Sequence, residues 1–259
     1  MVKADSSEMN QPAQSQASRP VRLRVVSPEE LGQILTSHSL YLKTNRKQGK
    51  RGDLSAADLE GQDLSGRVLQ RIKLNHAYLR NVNLAGANLQ RANLIGADLR
   101  GACLKAANLG GVRMSGSNLE AANLAGAELV GANLEFAVMR KTVLRQARLH
   151  GADMSGVNLE GADLREADLS QVNFRGASFR QARLDRADLR ATRLGGAFLD
   201  GASMRGADLR GAYLRVARLD GADLSAADLR ETHGLVRAQL AVALCWRRAR
   251  LPAELSGEE

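Results

Sequence analysis

Four histidines and two cysteines are the side chains on which catalysis or metal binding would first rest. His38, His76, His150 and His233 lie far apart in the chain, and none has a partner at the spacing of a metal site or a catalytic triad. Each is expected to be a solvated surface histidine. Cys103 and Cys245 are 142 positions apart with no metal-ligand neighbours, so both are expected as free thiols in a reducing compartment. No glycine-rich stretch opens a helix after a strand, which leaves out a phosphate loop. No catalytic, cofactor-binding or metal residue is expected. The remaining chemistry is electrostatic, and its densest part is Lys43, Arg46, Lys47, Lys50 and Arg51, a segment suited to anions.

The net charge of +9 is unevenly spread: residues 1–51 carry +5, residues 52–231 carry +3 and residues 232–259 carry +1. Only 3% of the 259 residues are aromatic while 44% are apolar, so the interior must be filled by small and aliphatic side chains. No stretch approaches the ~18 apolar residues of a membrane span, and no apolar run follows the first positive residue. A cytoplasmic protein is expected.

The element that must position these charges is a repeat. Every residue whose number ends in 4 or 9, from Leu54 to Leu229, is Leu, Met or Phe, which makes 36 consecutive five-residue units. Two residues earlier stands Ala in 25 of them; the residue between is Asp eleven times and Asn nine times; Gly follows at the second position after the apolar residue 18 times. Ala87, Leu89, Ala92, Leu94, Ala97 and Leu99 illustrate the pattern. Five residues advance an α-helix by about 500°, so the leucines would not form one stripe. In a straight strand the odd spacing would send alternate leucines to opposite faces. The chain must therefore turn a corner once per repeat, with Ala and Leu inward and Asp or Asn outward. Four corners of about 90° close a square, so residues 20 apart become neighbours and 36 units make about nine coils, ~43 Å long.

The run A-(D/N)-L-x-G resembles the bacterial pentapeptide-repeat family, over 180 of the 259 residues. The resemblance implies an all-β solenoid, a right-handed quadrilateral β-helix, and a non-enzymatic protein. The family's best-characterised activity is inhibition or protection of DNA gyrase by solenoids whose acidic surface imitates DNA. Here the repeats carry +3 and hold no loop insertion, which departs from that pattern.

Stacking at 20 residues maps the surface. Glu60, Arg80, Arg100, Glu120, Arg140, Glu160, Arg180, Asp200 and Asp220 form one column of mixed sign, expected as a solubilising ladder. Asp168, Asp188, Asp208 and Asp228 form another, flanked by Arg190, Arg210 and Arg230. A third face gathers Lys105, Arg145, Arg165, Arg183, Arg186 and Arg205 around Asp163, Glu166 and Asp185; Arg145, Arg165 and Arg205 there are candidate phosphate contacts. Phe136, Val138 and Val143 put apolar side chains outward on one coil, as scattered exposure or as a partner-docking patch.

Solenoid ends need caps. Residues 1–20 are expected to be a disordered tail. Residues 21–51 form an N-terminal cap and basic junction: residues 21–26 alternate like a strand, and Ser27-Pro28-Glu29-Glu30 suggests a capping box opening a helix with Leu31, Ile34 and Leu35 on one face. Residues 52–231 are the β-helix. Residues 232–259 are a helical cap, with a helix expected near 236–249. The GL…QL…LP pattern after Gly234 is similar to C-terminal segments of other bacterial members of the family, some of which dimerise. Leu240, Val242, Leu244, Cys245 and Trp246 are the candidate dimer contacts on that helix.

Two functional readings follow. The first is a non-catalytic scaffold that presents its surface to a protein partner, possible as a homodimer. The alternative is nucleic-acid or anionic-surface binding through residues 43–51 and the Arg-rich face, with DNA-mimic modulation of gyrase a further option.

Overall fold

The computed structural model describes residues 23–256. From Asp53 to Tyr213, each residue preceding a central apolar residue forms a parallel bridge with the residue 20 positions on, as in Asn88↔Asn108 and Tyr213↔His233. Four repeats therefore complete one coil. One repeat shows how the backbone is satisfied. The Asn88 amide donates to the Arg67 carbonyl of the coil below (2.9 Å), and those of Leu89 and Arg91 donate to Asn108 and Gly110 of the coil above (2.7 and 2.9 Å). The Ala92 amide closes the turn on Leu89 (2.9 Å). The fifth amide, that of Gln90, donates to the Asn88 side-chain oxygen (3.2 Å). Asn and Asp are frequent at this position because only a side chain reaches that fifth donor.

Pairing is one residue wide because corners consume the rest of each repeat. Regular strands are accordingly confined to β1 (Arg24–Val25) and β2 (Ala57–Asp58), which pair in parallel at the N-terminal end. At each of the 36 corners, the second residue after the apolar one adopts a positive φ. Glycine takes half of them; the others include Arg71 (61°), Phe136 (56°) and Val216 (53°).

The leucines and alanines are buried to within a few per cent along the whole axis, including Ala87, Leu89, Ala92, Leu94, Ala97 and Leu99. Phe174 and Phe179 meet edge to face at 4.8 Å inside it. Where Ser117, Thr142 and Thr192 replace the inward Ala, their hydroxyls donate to the carbonyls of Met114, Leu119 and Leu189.

At the N-terminal end, β1 extends the first coil and α1 (Pro28–Lys43) lies over it, with Leu31 buried and Val26, Ile34 and Leu35 packed against the core. Ser27 accepts from the Glu30 amide (3.1 Å), but the Glu30 carboxylate pairs with Arg24, so only half of the expected capping box forms. His38 is not solvated as expected: on α1 it is fully buried against the first coil, and its Nδ1 accepts from the Gly52 amide at 3.1 Å.

At the other end the expected helix over 236–249 is replaced. Helix α2 (Arg237–Ala241) spans five residues, and the chain then resumes the coil path. The Gly221, Leu224 and Leu229 amides donate to the Val242, Leu244 and Arg250 carbonyls, and Leu244 and Arg250 bridge Asp223 and Asp228. The unpaired edge of the last coil offers these residues inter-coil hydrogen bonds, and that outweighs their helical periodicity. Gln239 completes the cap: its amide donates to the Leu214 and Ala217 carbonyls (2.9 and 2.8 Å), and its oxygen accepts from the Val236 amide (2.9 Å). Among the described residues no helix is long and apolar enough to cross a membrane.

Candidate anion-binding face

The loop after α1 turns through two positive-φ residues, Asn45 and Arg46, with the Arg46 amide held by the Tyr41 carbonyl (2.7 Å). This brings Arg46 back over the side of the first coils. Arg51 donates from Nε to the Arg71 carbonyl, which fixes it directly below Arg71. Arg71 and Arg91 occupy successive positive-φ corners 20 residues apart, so three arginines stack in one column at the ~4.8 Å coil spacing. Lys73 and Arg113 project from the adjoining flat face. Together with Tyr41 and Asn93, these six cations line a groove of about 460 Å³.

The same face continues toward the C-terminal end. There Arg175, Arg193, Arg215 and Tyr213 line a wider groove of about 1050 Å³, with Asp153, Asn173 and Val216. Tyr213 is half exposed, and its ring lies 4.7 Å from that of His233. Asp153 is occupied by hydrogen bonds from Ser155 and Asn173.

The electrostatics of this face differ from those of the rest of the rod. Lys73 pairs with Asp53 at 2.9 Å; burial opposes ionisation of Asp53, but Ser55 and the Lys73 ammonium outweigh it and bring the carboxyl down to about 2. Among the described residues, Arg46, Arg51, Arg71, Arg91, Arg113, Arg175, Arg193 and Arg215 form no ion pair with a carboxylate. Elsewhere arginines are mostly neutralised. Arg80 and Arg100 share Asp98, whose carboxyl they hold at about 2 against the effect of its burial. Arg190, Arg210 and Arg230 fork onto Asp188, Asp208 and Asp228.

On the expected phosphate stripe the three candidate arginines lie beside carboxylates, while Lys105, Arg183 and Arg186 form no ion pair among the described residues. Arg165 donates twice to Asp163 (2.7 and 2.5 Å), Arg145 lies 3.8 Å from the same carboxylate, and Arg205 pairs with Asp223 at 2.5 Å. Arg165 is thus forked onto a carboxylate and Arg205 engages one through Nε, while Arg145 makes only a longer ion pair. Of the basic junction, Arg46 and Arg51 enter the groove; Lys47 and Lys50 are exposed beside it, and Lys43 lines a separate groove with Leu35 and Leu40. Sequence reasoning missed Arg71, Lys73, Arg91, Arg113, Arg175, Arg193 and Arg215, although their 20-residue register was available.

The apolar candidates are dispersed. Phe136 is 70% exposed at a corner, lying over the Cα of Gly156, while Val138 and Val143 are half-buried on successive faces. The candidate dimer residues do not share one helix: Leu240 is buried, Val242 and Leu244 are exposed beyond α2, Cys245 is a free thiol at φ 53°, and Trp246 packs against the core beneath the Arg247 guanidinium.

The solved structures this chain is similar to include three proteins from different settings. HetL, a pentapeptide repeat protein involved in heterocyst differentiation regulation in the cyanobacterium Nostoc sp. strain PCC 7120, is 26% identical; the match covers 82% of this chain and 92% of HetL, with a TM-score of 0.37. QnrB1, a plasmid-mediated fluoroquinolone resistance protein, is 19% identical over 76% of this chain and 92% of its own, with a TM-score of 0.33. A pentapeptide repeat protein of the Arabidopsis thaliana thylakoid lumen is 35% identical over 46% of this chain and 70% of its own, with a TM-score of 0.28. No curated protein matches. The family model for pentapeptide repeats matches in 8 copies running from residue 72 to residue 233. With its unbroken five-residue register and its 20-residue bridging, the chain belongs to the pentapeptide-repeat family and has that family's right-handed β-helix fold.

Proposed function

We propose that this protein is a non-catalytic, cytoplasmic scaffold, a rod of about nine coils that engages a polyanionic partner through its cationic face. The observation that carries this reading is the contrast in charge pairing. Eight arginines on one face and its edges lack carboxylate partners, while most of those elsewhere are paired. Like charges stacked in register repel, so the column Arg51, Arg71, Arg91 is unfavourable until an anion sits on it. Exposed ion pairs are worth under about 1 kcal/mol each, so folding alone gives little reason to pair one side and leave the other bare.

Imitation of DNA requires a continuous acidic face. The longest carboxylate column, Asp168 to Asp228, has an arginine two residues beyond three of its four members, which argues against that role.

Retention on immobilised heparin tests the reading. The protein should bind at low salt and elute in a sharp salt-dependent step, and Arg71→Gln/Arg91→Gln/Arg113→Gln should elute markedly earlier. Equal elution of the two proteins, or no retention, would contradict it.

A further inference from the structure

Resting on that polyanion reading, we infer that the partner is a single-stranded nucleic acid lying along the cationic face. The spacing of the charges comes first. From Arg71 to Arg215 is 144 residues, about seven coils or ~35 Å of rod, and arginines recur at both ends of this path. A free phosphate or a small ligand engages one groove only. A chain of phosphodiesters engages both.

The shape of the path points to a flexible strand. In the N-terminal groove the corner cations Arg71 and Arg91 lie on one edge of the face; in the C-terminal groove Arg175 and Arg215 lie on the opposite edge. Lys73, Arg113 and Arg193 lie on the flat between. The cations thus form two clusters on opposite edges, separated by coils that carry Glu135 and Asp153, a spacing that an extended strand can bridge.

The aromatic side chains select among anions. The whole protein has three tyrosines, and each groove contains one, Tyr41 and Tyr213. Tyr213 presents a half-exposed ring backed by His233. Cationic grooves that carry ring platforms bind unpaired bases by stacking, a contact closed to a base-paired duplex and absent from an acidic peptide. Asn93 adds a polar contact of defined sense: its oxygen accepts from the Ile95 amide (3.3 Å), which leaves its NH2 group to donate into the groove.

The test uses the full chain and fluorescence anisotropy with a labelled oligothymidine of about 20 nucleotides, the same length of duplex, and polyglutamate as competitor. Single-strand binding should be tighter than duplex binding by about tenfold or more, and polyglutamate of equal charge should compete poorly. Arg71→Gln/Arg91→Gln/Arg113→Gln should weaken binding by at least about tenfold and reduce the slope of log K against log salt by about 2, at ~0.7 per lost contact. Tyr41→Leu/Tyr213→Leu should weaken binding with the salt slope unchanged. Arg190→Gln/Arg210→Gln, which removes arginines already bound to carboxylates, should leave both quantities unchanged. Melting of the triple variant at or above the wild-type temperature establishes that it is folded. Duplex bound as tightly as single strand, or full competition by polyglutamate, overturns the inference. Arginine-dependent retention on heparin with no oligothymidine binding overturns it while leaving the polyanion reading intact, and failure of both overturns both.

Discussion

Each residue of the repeat answers one backbone or packing demand, and the departures are where the energy is informative. A positive φ costs a residue with a Cβ on the order of 1 kcal/mol, more for a β-branched one. Val216 sits at φ 53° with its side chain 73% exposed, so little burial offsets that strain. Val216→Gly is expected to raise stability by up to about 1 kcal/mol, reduced by glycine's larger unfolded-state entropy. Leu214→Ala, two residues away in the core, should lower stability by about 3 kcal/mol. Urea denaturation of both variants checks the contrast, and a destabilised Val216→Gly protein would contradict it. At this scale the sequence was fully legible: Leu89 and Ala87 are buried and Asn88 faces out because a period of five permits no other assignment. What a period could not reveal is whether an outward charge is spent. Arg165, directly after Leu164, forks back onto Asp163, whereas Arg71, at the positive-φ corner two residues after Leu69, pairs with no carboxylate among the described residues.

At the scale of elements, the caps were partly legible. The helix beginning at Pro28 is announced by Ser27 and Pro28, and it is found as expected. The C-terminal helix was not legible, because residues 240–246 carry an apolar run compatible with helix, yet a vacant coil edge lies beside them and captures Leu244 and Arg250. Local pattern cannot register a demand made by a distant backbone. The same holds for His38, buried by a first coil that lies beyond it in sequence. Its burial lowers its pKa; the Gln70 carbonyl partly offsets this and Arg51 reinforces it. Because the folded-state pKa lies below the unfolded value of ~6.5, His38 contributes fully above pH 6.5, and the contribution is lost as pH falls below it. Protonation also removes the acceptor for the Gly52 amide. Hydrogen exchange, corrected for intrinsic rates, should show lower protection at Gly52 and across α1 at pH 5 than at pH 7.5. His38→Gln should flatten that difference; equal protection in the wild type at both pH values would contradict the assignment.

The whole molecule is a quasi-one-dimensional stack in which each coil contacts its neighbours, so it can carry different charge patterns on different sides without changing its core. The repeat made the rod legible, and the 20-residue register made its columns legible in turn. The cationic face escaped notice because it combines a corner column, a flat column and the returning loop after α1, and no single register contains all three. Arg46 reaches it only through the backbone reversal at Asn45 and Arg46. Net charge was equally misleading, since the repeats sum to only +3 and a sum does not tell paired arginines from unpaired ones.

Arginine footprinting by phenylglyoxal modification and mass spectrometry, with and without heparin, tests the central claim most directly. The cationic face predicts that Arg71, Arg91, Arg113, Arg175, Arg193 and Arg215 react fastest in the free protein and are the ones protected by the polyanion, while Arg190, Arg210 and Arg230 react slowly in both states. Protection spread evenly over all sides, or concentrated on the carboxylate-paired arginines, would contradict it.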